Sequence, residues 1–406
     1  MIVTVSQGTV LDTTSMELIE NQTVVLEADR IVDIVEGATR VDADLDIDAA
    51  GQFILPGFID GHFHHWFITM DFDRLLRMSA VERGIGMGAL AEGTVKRGFT
   101  TVRDAGGDNR GLMTAIRNGL TGGPRIVQAG RILSQTGGHG DMRADHDALA
   151  ECGCQIFADH AGFIVDGVDA CRKAARQAMR DGSQFIKIMT SGGVSSPTDP
   201  FDSVQFTAEE ITAITTETDH RHTYTTSHAY LPPSIQLAVE NGVKCIEHGN
   251  GLDKVTANLM VEHGATMVPT LVAYKALADI GPKVGMPETI LAKNDGVFEM
   301  GQNAIEVARD AGVELGFGTD LLGEAHDLQN QEFAIRANLE PAADVLRSMY
   351  VTNAKLAKME REIGVVAQGA YADLVVSRIN PLEDLAGLAE PDANLSSIIQ
   401  HGEPVR

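Results

Sequence analysis

The sequence is short of the residues that would hold a small secreted fold together or attract a charged polymer. Four cysteines occur in 406 residues, Cys152, Cys154, Cys171 and Cys245, too few for a disulfide framework in so long a chain. Cys152 and Cys154 flank one glycine without partners at zinc-ribbon spacing, so they read as ordinary loop thiols. Basic residues are outnumbered, 32 against 57 acidic, for a net charge of −25. That balance excludes the basic footprint that nucleic acids and anionic membranes require. No apolar run approaches the ~20 residues of a membrane span. The opening MIVTVSQGTVLD alternates like a strand and lacks the basic start and apolar stretch of a secretory leader, which predicts a cytoplasmic protein. A chain beginning after a cleaved leader would read the same way.

What remains is ordinary for a soluble globular protein, 44% hydrophobic and 22% charged. A chain of this length exceeds the usual single domain unless it forms an α/β barrel. Residues 1–55 are strand-like, with short β-branched runs such as TVVLEADRIVDIV separated by Gly, Asn and Asp turns. The last stretch returns to that style in GVVAQGAYADLVVSRIN and LSSIIQHGEPV. Between them, apolar strands are predicted at 54–60, 99–104, 125–130, 184–189, 223–228, 243–247, 266–271 and 313–318, with amphipathic helices between most of them. In one of these, TAEEITAITTETDHR, Thr207 and Glu210 make a capping box. This alternation predicts a parallel (β/α)8 barrel over residues 56–356, with the terminal segments 1–55 and 357–406 pairing into a small second domain.

The first barrel strand runs into GFIDGHFHH, residues 57–65. Residues two apart on a strand share a face, so the imidazoles of His62 and His64 lie side by side and could grip one ion. Taken alone, an H-x-H is better read as a polar strand end reaching solvent. A barrel, however, gathers its chemistry at the carboxyl ends of its strands, and other residues recur there. Lys187 lies inside QFIKIM, His228 ends TTSHAY, His248 follows in CIEHGN, and Asp320 follows in GFGTDLL. Thirteen histidines leave chance some room. A cationic lysine among Phe185, Ile186, Ile188 and Met189 is costly. Two readings of it stay open: pairing with a carboxylate or reaching the barrel mouth, or reaction of the neutral amine with carbon dioxide to give a carbamate that bridges two cations.

In this order, PGFIDGHFHH, FIKIM, SHAY, EHGN and GTD resemble the amidohydrolase superfamily. The longer strings GFTTVRDAGG, SQTGGHGD, KIMTSGGVSSPTDP and GFGTDLLGEA resemble its Xaa-Pro dipeptidase/carboxypeptidase-like, or prolidase-like, group, which also includes ochratoxin-hydrolysing amidases. The resemblance spans essentially the whole chain. It implies a TIM barrel flanked by a β-sandwich, with His62, His64 and Asp320 holding one metal, His228 and His248 the other, and carboxylated Lys187 bridging. Two zinc ions per chain suit that donor set. His65, directly after the pair, departs from the pattern and is expected to face away, in packing or support.

The resemblance further implies attack on an amide carbonyl by a metal-bridging hydroxide, with Asp320 moving the proton to the leaving nitrogen. His139 and Tyr230 then contact the substrate carbonyl or carboxylate, unless His139 merely fixes its own loop. Arg103 is read either as a carboxylate-binding residue or, preferably, as half of a buried ion pair, with Asp104 or a similar acid, that organises the second strand. The segments 190–205 and 272–295 are long enough to cover the site. The expected enzyme removes a C-terminal amino acid, proline or an apolar residue, from a dipeptide or N-acyl amino acid, and is a homo-oligomer. An N-acyl-phenylalanine amide such as ochratoxin A is the alternative substrate. A mononuclear deaminase would need no bridging lysine, and a non-catalytic scaffold would not need every ligand position filled.

Overall fold

Alternation in the opening stretch produces two long antiparallel strands, β1 (Ile2–Asp12) and β2 (Glu17–Glu27), with β3 (Arg30–Glu36) beyond them. The structure, a computed structural model, describes residues 1–37, 42–143, 161–196 and 199–406. Cys152 and Cys154 lie outside the described residues, whereas Cys171 and Cys245 are buried free thiols. The short strands β4 (Leu45–Asp48) and β5 (Phe53–Pro56) run parallel to β1.

The two terminal stretches meet. From the far end of the chain, Leu374–Ser377 pairs antiparallel with β5, and Leu395–Gln400 and Glu403–Pro404 extend the same sheet. Together these segments form one eight-stranded sheet. One face of it buries Val3, Val5, Val24, Ile54, Leu374 and Val376, β-branched and aliphatic residues suited to a pleated, half-buried surface. Among the described residues, no helix is long and apolar enough to cross a membrane.

The central segment folds into two parallel sheets. The first contains β6 (Phe58–Phe63), β7 (Phe99–Asp104) and β8 (Arg125–Gln128), neighbours in that order. The second contains β9 (Ile132–Ser134), β10 (Gly162–Ile164), β11 (Ile186–Met189), β12 (Thr225–Ala229), β13 (Cys245–His248) and β14 (Thr266–Val268), in the order β10-β9-β11-β12-β13-β14. Gln184 N donates to Gln128 O (2.9 Å), joining the approach to β11 with the end of β8. On the other side Gly316 N donates to Met267 O (2.8 Å) and Gly61 N to Phe317 O (2.7 Å), so residues 314–317 lie between β14 and β6.

Residues 313–318 were expected as a strand, yet they make only an isolated bridge, Met267 with Leu315. Asn353 explains the difference. Its amide nitrogen donates to both Ile59 O and Phe317 O (2.8 Å each), and its amide oxygen accepts from Phe317 N (3.2 Å). A side chain thus supplies hydrogen bonds that a ladder would otherwise make. The strands β9 and β10 have three residues each, too short for a periodicity to show in sequence. The segment 272–295 is also more regular than expected, forming the helices Leu271–Ile280, Gly281–Val284 and Glu288–Lys293. The helix at Ala208–His220 carries the anticipated Thr207–Glu210 capping box.

Aromatic residues are only 5% of the chain, but they gather at the strand ends remote from the histidines. Phe58, Phe99, Phe317 and Phe333 pack with ring centroids 4.8–6.3 Å apart, and Phe185 stacks on Tyr224 at 5.5 Å. Each fully buried ring contributes about 1.5–3 kcal/mol, with up to about 1 kcal/mol more per ring pair. This plug fixes one end of the parallel strands and leaves the other for polar groups.

The helix Leu271–Ile280 has no side-chain cap of its own. Buried Glu332 supplies one, accepting from Val272 N (2.7 Å) and Leu271 N (3.4 Å). Burial raises its carboxyl to about 8 despite those donors and nearby Arg336. A carboxyl raised on folding contributes stability that is complete below its unfolded value and is lost as pH rises through about 8. The chain should therefore lose roughly 2–3 kcal/mol between pH 6 and pH 9 in urea denaturation, and Glu332→Gln should remove most of that loss. Parallel pH profiles for the two proteins would contradict the assignment.

Candidate metal centre

At the carboxyl ends of the parallel strands the four imidazoles foreseen in the sequence come together with Asp320. His62 Nε2 lies 3.2 Å from His64 Nε2 and 3.3 Å from Asp320 Oδ1, and His64 Nε2 lies 3.1 Å from the same oxygen. The ring of His248 is 5.0 Å from that of His62 and 4.7 Å from that of His228. His62, His248 and Asp320 offer ligand atoms all within 4.8 Å of one another. Lys187 sits level with Thr226 and, one strand further, Cys245, one step below His228. All of these side chains are buried except Asp320, whose carboxyl is 23% exposed.

The backbone is shaped to allow this. Asp320 and His248 both adopt left-handed conformations, with φ of 50° and 74°, a strain that persists only where surroundings enforce it. Asp320 N donates to His62 O (2.8 Å). Gly318 is required beside it, because a Cβ there would come within 2.7 Å of His62 Cβ. Buried Asp60 ties the two segments together, accepting from His62 N, Thr319 N, Thr319 Oγ1 and Gln329 Nε2 at 2.6–3.2 Å.

The outward nitrogens of His62, His64 and His228 are occupied, and His248 Nδ1, 3.9 Å from Asp320 Oδ2, is also engaged. His62 Nδ1 donates to Glu247 Oε2 (2.7 Å), His64 Nδ1 to Gly106 O (3.3 Å), and His228 Nε2 to Gly192 O (3.1 Å); His248 Nδ1 bonds Thr270 Oγ1 (2.8 Å). Carboxylates and carbonyls only accept, so three of the tautomers are dictated and the remaining nitrogen of each presents a lone pair. Two such lone pairs, on His62 and His64, face each other at 3.2 Å. They repel unless a cation sits against them. The donor set therefore fits divalent metal held by neutral imidazoles with supporting acceptors behind them.

Charge agrees at two of the four imidazoles. Burial pushes His228 and His248 well below the usual imidazole range, which keeps them neutral, whereas Asp320 and Glu247 raise His62 against its own burial. Burial would raise Asp320, but the adjoining imidazoles of His62, His64 and His248 hold it well below the ordinary carboxylate range. Burial also pushes the Lys187 amine down, with Arg103 adding to the effect against the attraction of Glu247 and Asp320. The carboxylate pairing that the sequence left open for Lys187 is absent, since no ion pair within 4.0 Å reaches it among the described residues.

Arg103 makes the buried ion pair expected of it, but with Glu247 rather than Asp104, and does not reach a substrate. Neighbours on a strand point to opposite faces, so Asp104 holds His65 Nδ1 (2.9 Å) while Arg103 turns inward to Glu247 Oε1 (2.8 Å), Gly61 O (2.7 Å) and Tyr224 Oη (2.8 Å). The Arg103 side chain is 0% exposed, so it belongs to the layer beneath the site, out of a substrate's reach. His65, wholly buried, serves as packing against Asp104 and Phe63. His139 stacks on His228 with centroids 4.2 Å apart and its Nδ1 meets Ser196 Oγ at 2.8 Å. Tyr230 stacks on His248 (5.2 Å), accepts from Tyr274 Oη (3.3 Å), and lines a cavity of about 50 Å³ with Asp320, Met70, Val194, Leu277 and Met286.

Glu247 and Asp60 were missed from sequence. Both stand beside recognised ligands, in CIEHGN and FIDGHFH. For Glu247, an acidic residue in mid-strand matched by an inward arginine on a distant strand was the available signal.

This pattern of strand-end histidines and an aspartate is that of a metal-assisted hydrolase. Residues 53–405 match the amidohydrolase family, and the chain belongs to it. It is 28% identical over 354 residues to ochratoxinase of Aspergillus niger, covering 84% of this chain and 73% of that protein. A prolidase crystallised with N-methylphosphonate-L-proline superimposes with a TM-score of 0.95 at 41% identity over 100% of both chains. A Xaa-Pro dipeptidase with methionine bound in its active site gives 0.89 at 28% identity, over 100% of this chain and 99% of that one. The protein is a hydrolase of amide bonds.

Glu247→Ala would leave Arg103 buried without a counter-charge. It should cost about 3–5 kcal/mol in urea denaturation. Glu247→Gln keeps the shape but weakens the acceptor for His62, and should speed loss of a loaded divalent metal to a chelator about 10–100-fold. Chelator kinetics equal to those of the parent protein would refute the role assigned to this carboxylate.

Proposed function

We propose that the protein is a binuclear, zinc-dependent amidohydrolase that releases a C-terminal amino acid, proline or an apolar residue, from a dipeptide or N-acyl amino acid. The single observation behind this reading is the convergence of inward imidazole nitrogens on Asp320 above an amine that has no hydrogen-bond partner among the described residues. In the proposed architecture the two parallel sheets are arcs of one (β/α)8 barrel over residues 56–356, with the terminal segments 1–55 and 357–406 as the accompanying β unit. The backbone bonds at Gln184, Gly316 and Gly61 support closure.

His62, His64 and Asp320 would hold one ion and His228 and His248 the other. Lys187, as the carbamate formed when its neutral amine adds carbon dioxide and releases a proton, would lie between them. Two such ions would supply an acidified water and polarise the substrate carbonyl. Asp320 is placed to take a proton at its carboxylate and pass it to the leaving nitrogen. With its carboxyl the partly exposed member of the set, it faces the side from which a substrate enters. Tyr230 Oη and the His139 imidazole are the polar groups available to a substrate carbonyl or carboxylate. Met70, Val194, Leu277 and Met286 offer apolar contact and exclude water from beside Asp320.

The ligand of the 41%-identical prolidase, a phosphonate of proline, supports the Xaa-Pro class. The Aspergillus niger ochratoxinase relationship supports an N-acyl-phenylalanine amide, such as ochratoxin A, as the second reading. The test is a screen of Xaa-Pro dipeptides, other dipeptides, N-acyl amino acids and ochratoxin A with zinc-loaded protein. Turnover of at least one of these classes is expected, and Lys187→Ala should lower kcat/KM by about a thousandfold or more. Hydrolysis of lactones alone, or full activity in Lys187→Ala, would overturn the proposal.

A further inference from the structure

The Lys293 side chain, the last residue of the helix Glu288–Lys293, enters the segment that follows β11. Its Nζ donates to Asp199 O (2.6 Å), Ser196 O (2.8 Å) and Gly193 O (3.3 Å). An ammonium has three donors, and all of them are taken by backbone carbonyls of this one segment. Carbonyl dipoles turned toward a common point repel one another, so the segment holds this curl only around a cation.

The inner side of the same segment faces the site. Gly192 O fixes the tautomer of His228 (3.1 Å), and Ser196 Oγ fixes His139 Nδ1 (2.8 Å). The His139 ring packs so closely on Gly193 that a Cβ there would lie 2.0 Å from it. Val194 and Ser195 form one wall of the cavity beside Asp320 and Tyr230. Asp199 Oδ2 accepts from Gly193 N (3.0 Å) and closes the turn from within.

We infer that Lys293 is a positioning residue: its ammonium acts as an internal cation gathering the carbonyls of Gly193, Ser196 and Asp199, and that gathering sets the His139 ring and the Val194–Ser195 wall against the substrate. The inference rests on the amide-hydrolase reading for its kinetic consequence but not for its structural one. Lysine is needed rather than arginine, because a planar guanidinium cannot direct its donors at three carbonyls around one point.

The experiment uses the full zinc-loaded chain with Lys293→Ala and, as a variant of similar bulk, Lys293→Met. Hydrogen–deuterium exchange over residues 190–205 is followed alongside kinetics and zinc content. Both variants should exchange faster in that segment and raise KM about tenfold with a smaller change in kcat, zinc remaining bound. In Lys293→Ala, n-propylammonium chloride should restore slow exchange and low KM, whereas tetramethylammonium, which has no N–H, should not. Unchanged exchange in both variants, or a defect that n-propylammonium fails to reverse, would overturn the inference. If the parent protein cleaves no amide, the exchange and rescue results still decide the role of Lys293, and only the functional reading falls.

Discussion

The site depends on a buried carboxylate shared between two cationic or donating partners. Glu247 takes Arg103 at one oxygen (2.8 Å) and His62 at the other (2.7 Å), and all three side chains are essentially without solvent. Burial would raise its carboxyl, but the Arg103 guanidinium and His62 hold it well below the usual range. Because it stays ionised it can only accept, so His62 must donate outward and offer its lone pair inward. A neutral residue in its place would leave the first imidazole free to flip its tautomer, and with it the ability to bind a cation. A buried ion pair is weak evidence for stability; here its consequence is orientation.

The layers of the structure follow from that constraint. Aromatic rings close one end of the parallel strands, where Phe58, Phe99, Phe317 and Phe333 interlock. Above them lies the charged layer of Arg103, Glu247 and Lys187, and above that the imidazoles and Asp320. Each layer restricts the next: Phe185 lies 4.2 Å under the Arg103 guanidinium, Arg103 fixes Glu247, and Glu247 fixes His62. Asp60 does the same from the side by binding both His62 N and Thr319. The strained backbones at His248 and Asp320 are tolerated because these supports surround them.

Much of this was legible in the sequence, for identifiable reasons. Apolar strand runs and strand-end histidines are local patterns, so seven of the predicted barrel strands overlap observed ones, although 54–60 straddles β5 of the terminal sheet and β6. The exception, 313–318, fails because Asn353, distant in sequence, takes over its hydrogen bonds. The segment 272–295 turned out helical because Leu271, Val272, Tyr274 and Leu277 bury one face of a helix, a pattern hidden when length alone suggested a loop. The buried ion pair of Arg103 was anticipated but its partner was not, because adjacency in sequence is separation across a strand and Glu247, not Asp104, shares its face. Glu247, Asp60 and Lys293 were missed because their meaning lies in which distant atoms they reach.

The most direct measurement is an anomalous diffraction map collected at the zinc edge from crystals of the zinc-loaded protein. The account predicts two peaks, one against His62, His64 and Asp320 and one against His228 and His248, with added density on Lys187 Nζ between them. An absence of zinc there, or an unmodified Lys187 amine with the imidazoles empty, would contradict it.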